Sequence, residues 1–172
     1  MKKVKLWLVL GSAIFLMGCA TQLRDGVKLL EEGKYEEAIS NFEVQLKENR
    51  RLDEAYRGLG IAYYELGDYE AAIESLEAAL ENKAKESVVL YNLLGASYLK
   101  MERYEDALKF FQEALKMDDC TQELKQEMLF NEIAIYQHLG EWDIVKEKVE
   151  SYMEAYPDDT RMEKTIDFLE TR

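Results

Sequence analysis

The chain of 172 residues contains 35 acidic and 22 basic side chains, which gives a formal net charge of −13 at pH 7. A phosphate-binding surface needs clustered lysine and arginine, so this balance argues against nucleic acid as a ligand. With one proline and two cysteines, the chain has few helix breakers and little scope for disulfides. We therefore expect a nearly all-helical body that apolar packing stabilises.

The N-terminal residues have the pattern of an export signal. Lys2, Lys3 and Lys5 form a basic start, and an unbroken run of apolar or small residues follows at 6–18. This run is shorter than the roughly 20 apolar residues that a membrane-spanning helix needs. A basic start, a short apolar middle and a small residue at the end are typical of secretory signals.

The end of this segment, Leu16-Met17-Gly18-Cys19, resembles the lipobox of bacterial lipoproteins. The resemblance implies a signal peptide over residues 1–18, cleavage before Cys19 and a diacylglyceryl group on that cysteine. Because two acyl chains anchor a protein stably, we expect a membrane-anchored lipoprotein outside the cytoplasm of a bacterium. It would sit on the outer face of the cell membrane, or on an outer membrane where one exists. The alternative is an ordinary signal peptide whose cysteine is incidental.

Four aromatic residues mark an internal repeat in the rest of the chain. Tyr35, Tyr69, Tyr104 and Trp142 follow one another at intervals of 34, 35 and 38 residues, and the first two share the motif Gly-x-Tyr-Glu-x-Ala-Ile. A period near 34 predicts one supersecondary unit stacked several times. Such stacks present extended surfaces to other macromolecules.

The second repeat, which contains Tyr69, shows how each repeat is built. Its first helix is predicted from residues at i, i+3, i+4 and i+7, which are Tyr56, Leu59, Gly60 and Tyr63. Gly67 and Asp68 then interrupt the helix, and a second helix is predicted near Tyr69. Gly60 and Ala72 lack bulk where the two helices should meet, so their backbones can approach closely.

These units resemble the tetratricopeptide repeat, a helix–turn–helix of 34 residues. The resemblance implies an all-α fold: an α-α superhelix, or solenoid, of about four repeats with a C-terminal capping helix. The boundaries are 19–52, 53–87, 88–125 and 126–159 for the repeats and 160–172 for the capping helix. The residues assigned to repeat packing are Gly26, Tyr35, Ala38, Leu59, Gly60, Tyr63, Tyr69, Ala72, Leu94, Gly95, Tyr98, Tyr104, Ala107 and Trp142.

The terminal repeats depart from the family pattern. Asp25 and Gln45 stand at apolar places in the first repeat, and Glu132, Ile133 and Val145 replace the leucine, glycine and alanine expected in the fourth. End repeats cover the stack, so atypical sequences are expected there.

Two capping boxes are predicted in the C-terminal third. Asp119-x-x-Gln122 predicts a helix that begins at Cys120 and is about one turn longer than its counterparts. Thr160-x-x-Glu163 predicts the start of the capping helix.

The resemblance also implies a binding surface, because the first helices of such repeats line a concave groove for peptides or helices. The residues that match groove-lining places are Leu23, Val27, Leu30, Arg57, Ile61, Tyr64, Asn92, Ala96, Leu99, Phe130, Ala134 and Gln137. The groove is mostly apolar, with Arg57 and Asn92 as polar handles, and suits an amphipathic helix or an extended apolar segment. The aliphatic members could equally pack against neighbouring helices. Some members of the family hold a terminal carboxylate with a set of basic and amide side chains. That set is not reproduced in register in this chain.

Catalysis and cofactor binding have little support in the sequence. His138 is the single histidine, so no histidine pair can hold a metal. Cys120 has Asp118 and Asp119 beside it, and carboxylates raise a thiol pKa, which weakens a reactive role. We expect no enzyme activity, no cofactor and no metal site.

The sequence therefore favours a membrane-anchored, non-enzymatic adaptor that binds a protein or peptide partner in the cell envelope. A carrier or chaperone that shields an apolar ligand or nascent segment is an alternative. A self-associating structural repeat is another, although like-charged acidic copies repel one another.

Overall fold

The computed structural model describes residues 25–171, and every regular element in that range is helical. The helices are α1 (described over 25–31), α2 (Tyr35–Lys47), α3 (Leu52–Leu66), α4 (Tyr69–Glu81), α5 (Val88–Lys100), α6 (Tyr104–Leu115), α7 (Gln122–Leu139), α8 (Trp142–Ala155) and α9 (Glu163–Glu170), with a 3-10 helix at Thr160–Met162. This confirms the predicted all-α fold. The predicted signal peptide, Cys19 and Leu23 lie outside the described residues. Within them, none of the helices combines the length and the apolar character needed to cross a bilayer.

The described residues divide into two compact units, the first ending at Glu86 and the second beginning at Ser87. Each unit is built of antiparallel helix pairs joined by short turns. The turn between α3 and α4 shows why the sequence reverses direction there. Gly67 adopts φ +80°, a left-handed conformation that favours glycine, and the Asp68 carboxylate accepts a hydrogen bond of 3.2 Å from the Ala71 amide. As the sequence places it, α4 begins at Tyr69.

The core of the first unit forms where small residues let helices approach. Ala38, Phe42, Ala55 and Leu59 are buried together. Gly26 of α1 and Gly58 of α3 both face the Phe42 ring, so closely that a side chain at either glycine would overlap it. The missing side chains thus make room for the phenylalanine.

The same arrangement recurs between helices of one pair. A Cβ atom at Gly60 would lie 2.5 Å from Leu76 Cγ and 3.4 Å from the Ala72 carbonyl oxygen. In the second unit, a Cβ atom at Gly95 would lie 2.7 Å from the Phe111 ring. Glycine is therefore required sterically on α3 and α5, and the large apolar residue that fills the space comes from α4 or α6.

The fourth helix pair packs differently. Ile133, Val145 and Tyr152 are all buried at places where close packing of α7 on α8 would need smaller side chains. These two helices are held further apart than α3 and α4 or α5 and α6. The three side chains, with Val149 and Met162, form their own core cluster. The bulk of the side chains at the first three positions explains the wider spacing of α7 and α8.

Two sequence predictions about helix starts are wrong. The helix predicted from Cys120 begins at Gln122, and its cap is Thr121, whose hydroxyl accepts from the Leu124 amide at 3.3 Å. Asp119 does not cap it, because the Cys120 amide bonds back to the Met117 carbonyl at 3.3 Å and still belongs to the turn after α6. The helix has 18 residues against 13 in α5, so the predicted extra length is present.

The second capping box is displaced as well. Thr160 opens a short 3-10 helix instead of α9, and the capping carboxylate is that of Asp159, which accepts from the Arg161 amide at 3.1 Å. The α-helix itself begins at Glu163. The chain turns one residue earlier than predicted because Asp159 is fixed by a larger network, described below.

The residues assigned to repeat packing fall into two groups by burial. Those that are buried are Gly26, Ala38, Leu59, Gly60, Ala72, Leu94, Gly95, Tyr98 and Ala107. Those that are half-buried are Tyr35, Tyr63, Tyr69, Tyr104 and Trp142. The aromatic residue that opens each second helix is thus only partly covered.

Candidate partner-binding faces

In the first unit, helix α3 presents three of the predicted groove residues on one side. Arg57, Ile61 and Tyr64 are spaced i, i+4 and i+7, which places them in one row along the helix. Arg57 is exposed, while Ile61 and Tyr64 are half-buried. This row is called the α3 face below, and it combines a cation, an aliphatic side chain and a phenol.

Tyr64, predicted to line the groove, is half-buried. Its ring packs edge-on against Tyr69 of α4, with 5.6 Å between ring centroids. Burial is the main cause that raises the pKa of the Tyr64 hydroxyl, and the nearby Tyr69 and Glu65 raise it further. The ring is therefore held in place, which reduces the entropy that a contact with a partner would cost.

Helix α1 contributes unevenly. Val27 is 46% exposed, whereas Leu30 is half-buried and packs against the core of the first unit. Leu30 therefore has a structural role, and Val27 is the predicted groove residue that is available for contact within the described part of α1.

In the second unit, the corresponding row on α5 contains Asn92, Ala96 and Leu99, all half-buried. The structure adds Val89, which lies three residues before Asn92 and is 54% exposed. These four residues form the α5 face. The i, i+3, i+7 spacing from Val89 could have revealed it, but the sequence gives no measure of its exposure.

The predicted groove residues on α7 are already in contact with the C-terminal segment. The Arg161 guanidinium lies over the Phe130 ring at 4.2 Å from the centroid, and Gln137 Nε2 donates to Thr165 Oγ1 at 2.9 Å. Ala134, which lies between these two residues in the sequence, is half-buried. Phe130 and Gln137 thus help to hold the α9 segment, and their contact with a partner remains a prediction.

Asp159 is the centre of a polar network that sequence analysis missed. Its carboxylate accepts from the Tyr152 hydroxyl, from Gln126 Nε2 at 2.8 Å and from Arg161 Nη2 at 2.6 Å. Arg161 also pairs with Glu127 at 2.7 Å. The network joins α7, α8 and the 3-10 helix, and so fastens the capping segment to the fourth helix pair.

The network determines the protonation of its members. Hydrogen bonds from Arg161 and then Tyr152 hold the pKa of the Asp159 carboxyl well below its usual range. Hydrogen bonding to Asp159 raises the pKa of Arg161 further above its ordinary value. Both groups are therefore charged at neutral pH.

A second ion pair lies between α7 and α8. Glu132 is 3% exposed at its side chain and accepts from Lys148 Nζ at 3.0 Å. The Lys148 ammonium also lies 5.5 Å from the centroid of the Tyr136 ring. Glu132, which replaces the expected leucine, is thus compensated by a cation from the neighbouring helix.

An apolar cleft of about 380 Å³ opens between α8 and α9. Val149, Met153, Ile166 and Leu169 form its walls, and Lys146 and Glu150 lie at its rim with Glu170. The sequence did not predict this cleft, because it depends on how α9 docks onto α8.

The residues considered for chemistry are dispersed in the described part of the chain. No group of His, Cys, Asp and Glu side chains within residues 25–171 has the arrangement of a metal site. His138 stacks on Tyr104, with 5.3 Å between ring centroids. Burial is the main cause that raises the pKa of the Cys120 thiol, and Asp119 adds to it, so the carboxylate effect predicted from sequence is the smaller one.

Comparison with known families agrees with this architecture. Models of the tetratricopeptide repeat match residues 29–96 and 88–119, which together span more than half of the chain. The chain belongs to the tetratricopeptide repeat family. Members of this family bind protein partners, and the fold and exposed helix faces described above are of that kind.

The similar proteins include one assembly factor and two solved repeat structures. Photosystem I assembly protein Ycf3 of Synechococcus sp. (strain CC9311) is 35% identical over 83 residues, which cover 46% of this chain and 47% of that protein. The chain therefore matches about half the length of that relative. YrrB, described as a TPR protein with an unusual peptide-binding site, has a TM-score of 0.68 at 23% identity, over 79% of this chain and 68% of the other. MamA AMB-1 has a TM-score of 0.74 at 19% identity, over 89% and 81%.

Proposed function

We propose that this protein is a lipid-anchored, non-enzymatic adaptor of a bacterial cell envelope. It would bind a protein or peptide segment through the first-helix faces of its repeats and hold that partner at the membrane. The observation that carries the proposal is the α3 face, where Arg57, Ile61 and Tyr64 present charge, apolar surface and a fixed ring in one row. The α5 face, with the exposed Val89, offers apolar contact in the second unit.

Two of the similar proteins support this class of function. YrrB is described as having a peptide-binding site, and Ycf3 as an assembly protein. A peptide-binding site and a role in assembly are both compatible with an adaptor that contacts other polypeptides. A mostly apolar row with one cation suits an amphipathic or extended segment that carries a carboxylate near its apolar residues.

Replacing Arg57 by alanine is expected to reduce recovery of the partner about tenfold, because a central arginine commonly contributes more than 1 kcal/mol to an interface. The measurement is photo-cross-linking in the native cell, with the cross-linking residue at position 64 and mass spectrometry of the product. Arg57 is exposed, so the substitution should leave the free energy of unfolding within about 0.5 kcal/mol of the original.

Leu66 provides the matched control on the same helix. It is 43% exposed and lies nine residues from Arg57, which is about half a turn away around α3. Leu66→Ala should leave partner recovery unchanged, and a cross-linker at position 66 should not capture the same product. Equal capture from positions 64 and 66 would show that the α3 face is not the binding surface.

The anchor is tested separately at Cys19. Labelled fatty acid supplied to the native bacterium should enter the wild-type protein and not Cys19→Ala, since the thiol is the acceptor. The variant should also leave the membrane fraction, because the acyl chains supply the anchoring energy. Absence of label from the wild type, or equal labelling of the variant, would reject the lipoprotein assignment.

The apolar cleft between α8 and α9 favours a second candidate, a carrier of an apolar ligand. Val149, Met153, Ile166 and Leu169 would contact such a ligand. Native mass spectrometry of the purified protein distinguishes the two functions. A carrier retains a small apolar mass, whereas an adaptor has the mass of its polypeptide and anchor alone.

A further inference from the structure

We propose that one end of the first compact unit rests against an anionic lipid surface. This end, called the basic end below, consists of the α2–α3 turn (residues 48–51) and the segment after α4 (residues 82–85). The proposal rests on the lipid anchor proposed at Cys19 and specifies which surface of the protein the anchor brings to the membrane.

Contacts between helices place the α2–α3 turn relative to α1. Gly26 of α1 and Gly58 of α3 both face the Phe42 ring, so these three residues lie at one level of the unit. Because an α-helix rises 1.5 Å per residue, α2 continues about 7.5 Å past Phe42 to Lys47, and α3 begins about 9 Å before Gly58. The turn between them therefore lies on the side from which the described part of α1 begins.

The end of α4 lies on the same side. Gly60 of α3 faces Leu76 of α4, and α4 runs antiparallel to α3. Glu81, the last residue of α4, is about 7.5 Å beyond Leu76 in the direction of the start of α3. Residues 82–85 and 48–51 thus share one end of the unit, and the α1–α2 and α3–α4 turns share the other.

The two ends differ in charge. Residues 47–54 and 81–86 carry as many cations as carboxylates: Lys47, Arg50, Arg51, Lys83 and Lys85 against Glu48, Asp53, Glu54, Glu81 and Glu86. At the opposite end, residues 31–37 and 65–70 carry one cation against seven carboxylates: Lys34 against Glu31, Glu32, Glu36, Glu37, Glu65, Asp68 and Glu70. In the tips of the basic end, 48–51 and 82–85, Glu48 is the single carboxylate among four cations. An ion pair of 2.6 Å joins Arg51 to Glu54.

This difference orients the unit on an anionic surface. Within a Debye length of about 8 Å at physiological salt, the equilibrium population of a positive side chain near such a surface is raised about fivefold. The population of a negative side chain is lowered correspondingly. The acidic end, with six excess carboxylates, is strongly disfavoured at the bilayer. The basic end is the one that can approach it.

The anchor cannot be far from this end. Six residue-to-residue steps separate Cys19 from Asp25, and a fully extended chain covers at most about 3.6 Å per step. The lipidated residue is therefore within about 22 Å of the start of the described α1, whatever path the chain takes. An anchor this short holds the unit close enough to the bilayer for its charges to interact with headgroups.

The test measures orientation on vesicles with the full, lipidated chain. Cys120→Ser removes the competing thiol, and a spin label is attached at Glu48→Cys in one sample and at Glu70→Cys in another. Both sites are exposed and both changes remove one carboxylate. On vesicles that contain phosphatidylglycerol and a nickel-chelating lipid, the label at position 48 should relax several times faster than the label at 70, because it should lie nearer the nickel-bearing headgroups. Without phosphatidylglycerol the ratio should fall to the smaller value that the anchor alone produces.

Charge reversal supplies the variant and its control. Lys83→Glu with Lys85→Glu should lower the ratio to the value found without phosphatidylglycerol, whereas Lys28→Glu with Lys34→Glu makes the same change in net charge and should preserve it. Protein that floats with the vesicles but gives equal relaxation at both labels would overturn the proposed orientation. Protein that fails to float with phosphatidylcholine vesicles at all would instead reject the lipid anchor, so the two failures are distinguishable.

Discussion

Replacement of Phe111 by alanine is expected to lower the free energy of unfolding by about 3–5 kcal/mol. Phe111 is fully buried in the second unit, and its ring fills the space left by the missing side chain of Gly95. Removing the ring leaves a cavity against a glycine, which has no side chain to move into it. Urea titration followed by circular dichroism measures the loss. The exposed neighbour Gln112 is the control, and Gln112→Ala should change the free energy by less than about 0.5 kcal/mol.

The pairing of Gly95 with Phe111 can be tested by a double-mutant cycle. In the original chain, Gly95→Ala should destabilise by about 1–3 kcal/mol, because its Cβ atom would lie 2.7 Å from the ring. In the Phe111→Ala background the same change should be stabilising by up to about 1 kcal/mol, since alanine is the better helix former and partly fills the cavity. An equal effect in both backgrounds would show that α5 and α6 do not meet at this point.

The sequence was sufficient to predict the fold because the constraints are local and repeated. Spacing near 34 residues, helical periodicity and small residues at Gly60, Gly95 and Ala72 all follow from one packing geometry, so each repeat supports the others. The turn at Gly67 and Asp68 was predictable for the same reason, since its conformation depends on those residues and on hydrogen bonds to the adjoining turns of α3 and α4.

Features that depend on docking were not predictable. Asp159 is joined to Gln126, which lies 33 residues earlier, and no spacing rule links an aspartate in a turn to a glutamine in a preceding helix. The start of α7 was misplaced because Asp119 and Thr121 are both good caps, and the choice depends on where the turn after α6 ends. The exposure of Val89 likewise depends on tertiary neighbours.

The candidate binding surface was predicted in part. The resemblance to the repeat family placed Arg57, Ile61 and Tyr64 along one helix. In the structure they form one row, in which the arginine is exposed and the other two are half-buried. It could not show that Tyr64 packs on Tyr69, or that Phe130 and Gln137 contact the C-terminal segment. These contacts reduce the surface that α7 can offer and make the α3 and α5 faces the better candidates.

Asp159→Asn is expected to lower the free energy of unfolding by roughly 2–3 kcal/mol at neutral pH, because a hydrogen-bonded charge is lost from Arg161 and Tyr152. The neighbouring Asp158 is exposed, and Asp158→Asn should have an effect below about 0.5 kcal/mol. Trp142 is a local reporter, since its ring lies 4.5 Å from Phe168 of α9 and its emission should change when α9 detaches.

The pH dependence of that difference identifies the carboxylate as its source. The pKa of Asp159 is lower in the folded state than in the unfolded chain, where it is about 3.9. Its contribution is therefore complete above about pH 5 and is lost as the pH falls below about 4 towards the folded-state value. The stability difference between wild type and Asp159→Asn should be constant from neutral pH to about pH 5 and shrink below about pH 4. A difference that stays constant down to the lowest pH at which the protein folds would mean that packing, and not the charge of Asp159, fastens α9 to the fourth helix pair.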